Sequence, residues 1–358
     1  MPRLPQRHSL PAQTAEIILE MISSGELTDT LPGERTLASR LQIGRDTLRA
    51  ALDILESQKA VSPRTHGQRR SILKKQQGDK AKRTPRIAFL SPKKLQELPP
   101  WMLIELDTLR ELLNHRGYEL EYLSPGVFHI KNPALRLQQL VDDNAFDLWI
   151  LYQCPLQVQQ WFQKNKLASI IRGYSNVGID IPSIDEDWQA SAFHAGGVLT
   201  RNGHRSVGLL MPDAKLAGLK ATEDGLRRAV EQSNVAGTVH TMIDQAEPGS
   251  TQNVLARAFK LKDPPTALVG TRSRHTLSAI SWLAQNGLKI PQDISYISLS
   301  YEPWYPYLTP TISHYHSDPA TFARTVLKKA TALLENNKTL PSKLLMPEYY
   351  PGGSVQKI

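Results

Sequence analysis

The sequence predicts an α/β protein: a winged helix-turn-helix at the N-terminus, then parallel β-sheet covered by helices on both faces. Three observations predict it. Residues 34–57 read as two short helices around a three-residue turn, Gln42-Ile43-Gly44. Residues 74–85, KKQQGDKAKRTP, have Ala81 as their one apolar side chain and mix charge with Gln and Gly, a composition that reads as a linker. From residue 86 onward, short apolar runs alternate with amphipathic stretches, the pattern of strands and helices in a parallel sheet. The regions so bounded are 1–73, 74–85 and 86–358.

Within the first region, a helix over 13–24 carries Ile17, Ile18, Met21 and Ile22 at helical spacing, and Gly25 ends it. Leu31-Pro32-Gly33 leads into a helix over 34–41. After the turn, a helix over 45–57 puts Leu48, Leu52 and Leu55 on its buried side. In a helix-turn-helix the second helix enters the major groove, and Arg45, Asp46, Thr47 and Arg49 stand at its start, within reach of base edges and phosphates. Residues 61–64 and 70–73 pair as a hairpin wing around His66-Gly67-Gln68. Its tip is basic (Arg64, His66, Arg69, Arg70), as a phosphate or minor-groove contact requires.

Past the linker, strands are expected over 86–90, 118–123, 148–152, 168–172, 206–211, 267–270 and 294–299. Helices are expected over 104–116, 133–144, 187–202, 223–233, 275–286 and 319–336.

Composition narrows the function classes. Hydrophobic residues at 40% and charged residues at 22% mark a soluble globular chain. No apolar run reaches the roughly 18 residues of a membrane span, and the N-terminus lacks a secretory signal, so a cytoplasmic location is expected. The single cysteine, Cys154, excludes an internal disulfide framework and a Cys-based zinc site. The net charge of +9 is uneven: residues 1–84 hold 15 Lys/Arg against 9 Asp/Glu, a surplus of 6, and the remainder 28 against 25, a surplus of 3. A basic region joined to a nearly neutral one points to a polyanion partner for the first, although a basic surface is as often merely solvated.

The stretch LPGERTLASRLQIGRDTLRAALDILESQKAV resembles the GntR family of winged-helix regulators in residue type and spacing. The resemblance covers about 60 residues and implies DNA binding. It places Arg35 at the start of the helix that crosses the DNA backbone and assigns Arg45, Thr47 and Arg49 to reading or clamping DNA. His66 and Gly67 match the wing tip, with Arg69 beside them. Gly33 and Gly44 stand where the family carries Ser, so a hydroxyl cap is expected to be missing.

From Arg86 the chain resembles the LacI/GalR regulators, whose sensor domain has the two-lobed periplasmic-binding-protein fold. The segments that carry the resemblance are RIAFL, LPPWMLIELDTLRELLNHRGYELEYL, IPSIDEDWQASAFHAGGVLTRNGHRSVGLL, PTALVG, LAQNGLKIPQDISYISLS and LTPTISHY. The fold implies a ligand cleft between two Rossmann-like lobes, at the carboxyl ends of the strands. Trp101 falls where the family places an aromatic against a sugar ring, and Tyr152 follows the LWIL strand into the cleft. The family's Asn-Asp pair corresponds to Arg272-Ser273, its Phe-Asp-Asp to Leu299-Ser300-Tyr301, and its cleft arginine to Thr222 with Lys220 nearby. Carboxylates are thus missing at these positions. Arg272, Lys220, Ser300, Tyr301 and Trp304 suit an anionic or glycosidic effector better than a neutral monosaccharide. Trp101 and Tyr301 can equally be core or dimer-face aromatics.

The resemblances together imply a homodimeric regulator, a repressor before an activator, of double-stranded operator DNA with a carbohydrate-related effector. The linker lacks the apolar wedge of a LacI hinge helix, so an effector would act on the spacing of two readers. His314 and His316 share a strand face without a third ligand, so no metal site is expected, and His194 and His204 read as capping or surface residues. No GxSxG, HExxH, P-loop or GxGxxG motif occurs, which argues against an enzyme and a cofactor. A soluble solute-binding protein and a ligand-free dimeric DNA-binding regulator remain as alternatives.

Overall fold

A computed structural model describes residues 9–23, 26–58, 60–63, 69–73, 84–130, 132–233 and 236–358. The chain divides into two compact units, residues 1–83 and 84–358.

In the first unit, helices α1 (Leu10–Ser23), α2 (Glu34–Arg40) and α3 (Arg45–Ser57) pack around Ile18, Leu37, Leu48, Leu52 and Leu55. Ala15, Ile18 and Met21 form the buried stripe of α1, whereas Ile17, expected inside, is largely exposed because it lies off that stripe. Gln42 turns the chain between α2 and α3 with a φ of 54°. Antiparallel bridges join Val61 to Ile72 and Thr30 to Ser71, so the arms of the wing pair with each other and with the chain before α2. The wing tip, with His66 and Gly67, lies outside the described residues.

One wing residue departs from expectation. Arg70 is buried: its guanidinium donates to the Glu56 carboxylate (2.7 Å) and the Leu52 carbonyl (3.4 Å), pinning the wing to the end of α3. It is a strut, since its side chain points along the domain's interior while Arg69 faces water.

The second unit contains two sheets. The first lobe is built from β1 (Arg86–Leu90), α4 (Pro100–Asn114), β2 (Glu119–Leu123), α5 (Ala134–Asp143), β3 (Leu148–Tyr152), α6 (Leu156–Lys164), β4 (Ser169–Arg172) and β5 (Ser183–Glu186). The second holds α7 (Trp188–Arg201), β6 (Ser206–Pro212), α8 (Ala217–Glu231), β7 (Thr238–Asp244), α9 (Ser250–Ala258), β8 (Ala267–Gly270), α10 (Ser273–Gln285), β9 (Ser295–Ser298) and β10 (Ser313–His316). The chain then returns to the first lobe through α11 (Pro319–Asn336) and β11 (Lys343–Leu345), and crosses back to end near β12 (Glu348–Tyr350). The sheets run β11-β5-β4-β3-β1-β2 and β12-β10-β9-β8-β6-β7, parallel throughout except where β12 meets β10.

Alternating strand residues explain the continuous apolar runs. Ile87, Phe89 and Ile150 face α4 and α11, while Ala88, Leu90, Trp149 and Leu151 face the opposite layer with Val158 and Phe162 of α6. A parallel sheet buried on both faces needs both sets apolar. The second lobe repeats the scheme with Val207, Leu209, Val269 and Ile297 on one side and Leu210, Leu268 and Tyr296 on the other.

Several elements differ from the sequence reading. Helix α8 begins at Ala217 and not at 223, and α6, α9, β5, β7, β11 and β12 were not expected. Helices α7 and α8 cross with almost no space between them: a Cβ on Gly225 would lie 2.2 Å from the Gln189 carbonyl oxygen.

Two stability predictions follow from this packing. Gly225→Ala forces α7 and α8 apart and should cost about 1–3 kcal/mol in urea unfolding of the full chain. Arg70→Ala should lower the opening free energy of α3 by about 1.5–3 kcal/mol in amide hydrogen exchange, while Arg69→Ala stays within about 0.5 kcal/mol.

Candidate functional site

In the first unit, Arg35, Arg45 and Arg49 are exposed and Thr47 is half-buried at the beginning of α3. Arg49 donates from Nε to Glu34 Oε2 (3.1 Å) and lies 3.7 Å from Asp46, bridging the starts of α2 and α3. Arg35 and Arg45 make no hydrogen bond or ion pair among the described residues. Gly33 and Gly44 stand as N-caps without a side-chain cap bond, as the sequence reading anticipates.

In the second unit the carboxyl ends of the strands open into a cleft between the lobes. Its larger chamber, about 260 Å³, is lined among others by Trp101, Tyr152, Arg272, Ser300 and Tyr301. A smaller chamber of about 70 Å³ shares Trp101, Tyr152 and Arg272 and adds Tyr174, Trp188 and Thr222. Two expected residues lie elsewhere. Lys220 is 68% exposed and paired to Asp224 (2.7 Å), on the solvent side of α8. Trp304 is half-buried and packs edge-on against Tyr305, its ring turned by the loop after β9 onto the edge of the second lobe's core.

The structure adds residues that sequence reasoning missed. At the end of β4, Arg172 is almost fully buried and forms two bonds to Glu105 of α4 (2.7 and 3.0 Å) and one to Asp185 of β5 (2.9 Å). Its guanidinium lies 4.2 Å from the Phe322 ring centroid and 5.8 Å from that of Trp101. Burial opposes its charge, but the two carboxylates hold its proton more firmly than usual. Asp185 also accepts from the Trp188 indole (3.2 Å), which fixes an aromatic wall of the cleft. Glu186 faces the larger chamber, and burial together with Asp185 pushes its pKa up to about 7. The cleft therefore does contain carboxylates, supplied in the first lobe by α4, by β5 and by Glu97 just before α4, and not by the positions that the resemblance compared. The available signal was position: Arg172 and Glu186 end strands, and Asp185 is one residue from the end.

On the second lobe, Arg274 in the first turn of α10 donates to Asp244 at the end of β7 (Nε, 2.9 Å). Burial alone would raise the Asp244 pKa, but the bond and charge of Arg274 hold it below the usual range. His275 reaches the same carboxylate (3.3 Å), and burial with the nearby Arg274 lowers its pKa to about 4, so it is neutral at physiological pH. Arg272 has no carboxylate partner among the described residues; its Nη1 donates to the Thr271 carbonyl (3.2 Å), and burial lowers its pKa. Lys93, just past β1, lines the same chamber, its pKa lowered by burial and then by Arg272 and Arg274.

His314 and His316 share a strand face as expected, with the Tyr301 ring stacked on His314 at 5.1 Å and tilted against His316 at 4.3 Å. His194 bonds the Tyr315 hydroxyl (2.6 Å), and His204 is buried against Thr266 and Ser295, a core position and not a surface one. Among the described residues no group of side chains is arranged to hold a metal ion. No described helix is long and apolar enough to cross a membrane.

Comparison with known proteins agrees with this layout. Residues 10–68 match the bacterial regulatory proteins of the gntR family, and residues 197–355 match a periplasmic binding protein-like domain. The HTH-type transcriptional repressor PurR of Aliivibrio salmonicida (strain LFI1238) is 25% identical over 187 residues, 48% of this chain and 55% of the relative. That of Mannheimia succiniciproducens is 24% identical over 163 residues, 45% of this chain and 49% of the relative. The chain thus spans about half the length of the curated relatives it matches. Among solved structures, the transcription regulator CcpA of Lactococcus lactis superposes with a TM-score of 0.66 at 14% identity, over 76% of this chain and 100% of that one. A LacI family transcriptional regulator from Enterococcus faecium with bound ribose gives 0.63 at 14% identity, over 76% and 99%. At these identities the likeness shows the fold. The chain thus joins an N-terminal segment that matches the gntR family model to a region that matches a periplasmic binding protein-like domain and shares the fold of solved LacI-family regulators.

Proposed function

We propose that this protein is a transcription repressor whose first unit reads double-stranded operator DNA and whose cleft binds a small-molecule effector. The observation that carries the reading is the leading edge of α3. Arg45 is exposed and unpaired among the described residues, with Thr47 and Arg49 beside it, on the second helix of a helix-turn-helix that matches the gntR family. Arg35 supplies a second exposed cation at the start of α2, and Arg69 one beside the wing. Arg49 must exchange Glu34 for DNA, so it suits a phosphate clamp better than base readout. The curated relatives are named as transcriptional repressors, which supports repression over activation.

The effector site is the cleft, with Trp101 and Tyr152 from the first lobe and Arg272, Ser300 and Tyr301 from the second. A carbohydrate-related effector fits, since Trp101 offers a ring face and Asp185 and Glu186 offer acceptors for hydroxyl groups. The related fold from Enterococcus faecium holds ribose. The protein acts as a homodimer in the cytoplasm, its two copies of α3 set one helical turn of DNA apart, about 34 Å. The domains of the reading are 1–73, the linker 74–85 and 86–358.

The reading is tested by incubating the protein with fragmented genomic DNA of its own organism and sequencing what is retained. A palindromic motif is the expected result, and unselective retention counts against it. Arg45→Ala and Arg49→Ala should each weaken binding to that motif by ~1–3 kcal/mol in fluorescence anisotropy; wild-type affinity in both sinks the docking arrangement.

Glu186 provides a check on the cleft itself. Between its ordinary value of 4.5 and its folded value of about 7, the folded protein keeps a proton that the unfolded chain releases. Stability against unfolding therefore declines as pH rises across that window. Denaturant midpoints at about pH 5 and about pH 7.5 should differ less in Glu186→Gln than in the wild type.

A further inference from the structure

The cations of the cleft fall into two kinds. Arg172 is satisfied by Glu105 and Asp185, and Arg274 by Asp244. Lys93 and Arg272 line the same chamber from opposite lobes, and neither has a carboxylate within ion-pair distance among the described residues. The carboxylate of Glu97, which also lines that chamber, is engaged by the Lys94 amide (3.1 Å). Arg272 is itself the N-cap of α10, whose first turn puts Ser273 on the cleft wall and has no side-chain cap. The leading amides of a helix have no internal acceptor and carry partial positive charge.

Buried cations without a direct ion pair are costly even where Asp185 and Glu186 act on Arg272, and Glu97 on Lys93, from beyond ion-pair distance, and the two cations repel each other across the cleft. An anion with several oxygens, placed between them, would satisfy both and draw the lobes together. We infer that the effector carries a phosphoryl group, and that this group bridges Lys93 of the first lobe and Arg272 of the second at the start of α10. The inference rests on the sensor reading above and adds the charge class of the ligand and a residue, Lys93, that holds it. Trp101 and Glu186, which line the same chamber, receive the hydroxyl-bearing ring. The proton affinity of Lys93 is lowered first by burial and then by crowding from the like charges of Arg272 and Arg274. A phosphoryl dianion would reverse that crowding.

Inorganic phosphate is the probe, titrated into the full-length protein by calorimetry at constant ionic strength, with acetate as the comparison. The wild type should bind phosphate and not acetate. Lys93→Gln and Arg272→Gln should each weaken phosphate binding at least about tenfold, while Arg272→Lys retains most of it. Lys220→Gln, outside the cleft, should match the wild type. Absence of phosphate binding in the wild type overturns the inference, as does equal affinity in the Lys93 and Arg272 variants. Acetate competing as well as phosphate overturns the phosphoryl assignment. Operator retention is measured on the same preparations: DNA binding without phosphate binding removes the phosphoryl bridge and leaves the regulator reading in place. Phosphate binding without DNA binding does the reverse.

Discussion

The geometry of the second unit depends on one buried guanidinium. Arg172 ends β4, yet its bonds reach α4 through Glu105 and β5 through Asp185, and its faces touch Trp101 and Phe322 of α11. Four elements of the first lobe are therefore held in register at the floor of the cleft by a single side chain. The charge is tolerated there because planar bidentate pairing satisfies it in a place where water cannot. Removing the arginine alone would strand two carboxylates in the interior, so the network stands or falls as a unit. Trp188, bonded to the same Asp185, carries that order across to the first helix of the second lobe.

Around this fixed floor the other cleft residues divide by what they are tied to. Arg274 is held by Asp244 and serves as wall, and Thr222 bonds its own helix at Gly218. Lys93 and Arg272 remain without such ties. Rigid, self-satisfied groups set the shape of a site, and unsatisfied ones choose what enters it. In the first unit, Arg70 is committed to the wing and α3, while Arg45 is left facing solvent.

Much of the fold was legible because local pattern and burial coincide. Helix α3 announces itself through Leu48, Leu52 and Leu55, and β3 through the unbroken run LWILY, which only a sheet covered on both faces requires. Less legible were α6 and α9, short helices whose sequences LQVQQWFQK and STQNVLARA are mostly polar with few inward residues. The candidate site was legible in outline and not in azimuth. Lys220 and Thr222 are two residues apart, yet on a helix that separation is about 200°, enough to put one in solvent and the other against the cleft. The Arg172 network was hidden for another reason: Glu105 lies 67 residues before its partner, and no local periodicity relates them.

The order of elements along the chain sets the order in which the lobes can be completed. The first lobe's sheet and helices are not contiguous in sequence: α11 and β11 come only after the whole of β6–β10. Phe322, Ala323 and Val326 of α11 belong to the first lobe's core beside Met102 and Leu106. During synthesis that lobe must wait with an uncovered apolar face until more than a hundred later residues have emerged, whereas the N-terminal unit has all its parts at once. Nascent chains stalled between β5 and α11 would thus expose a face that the finished protein conceals.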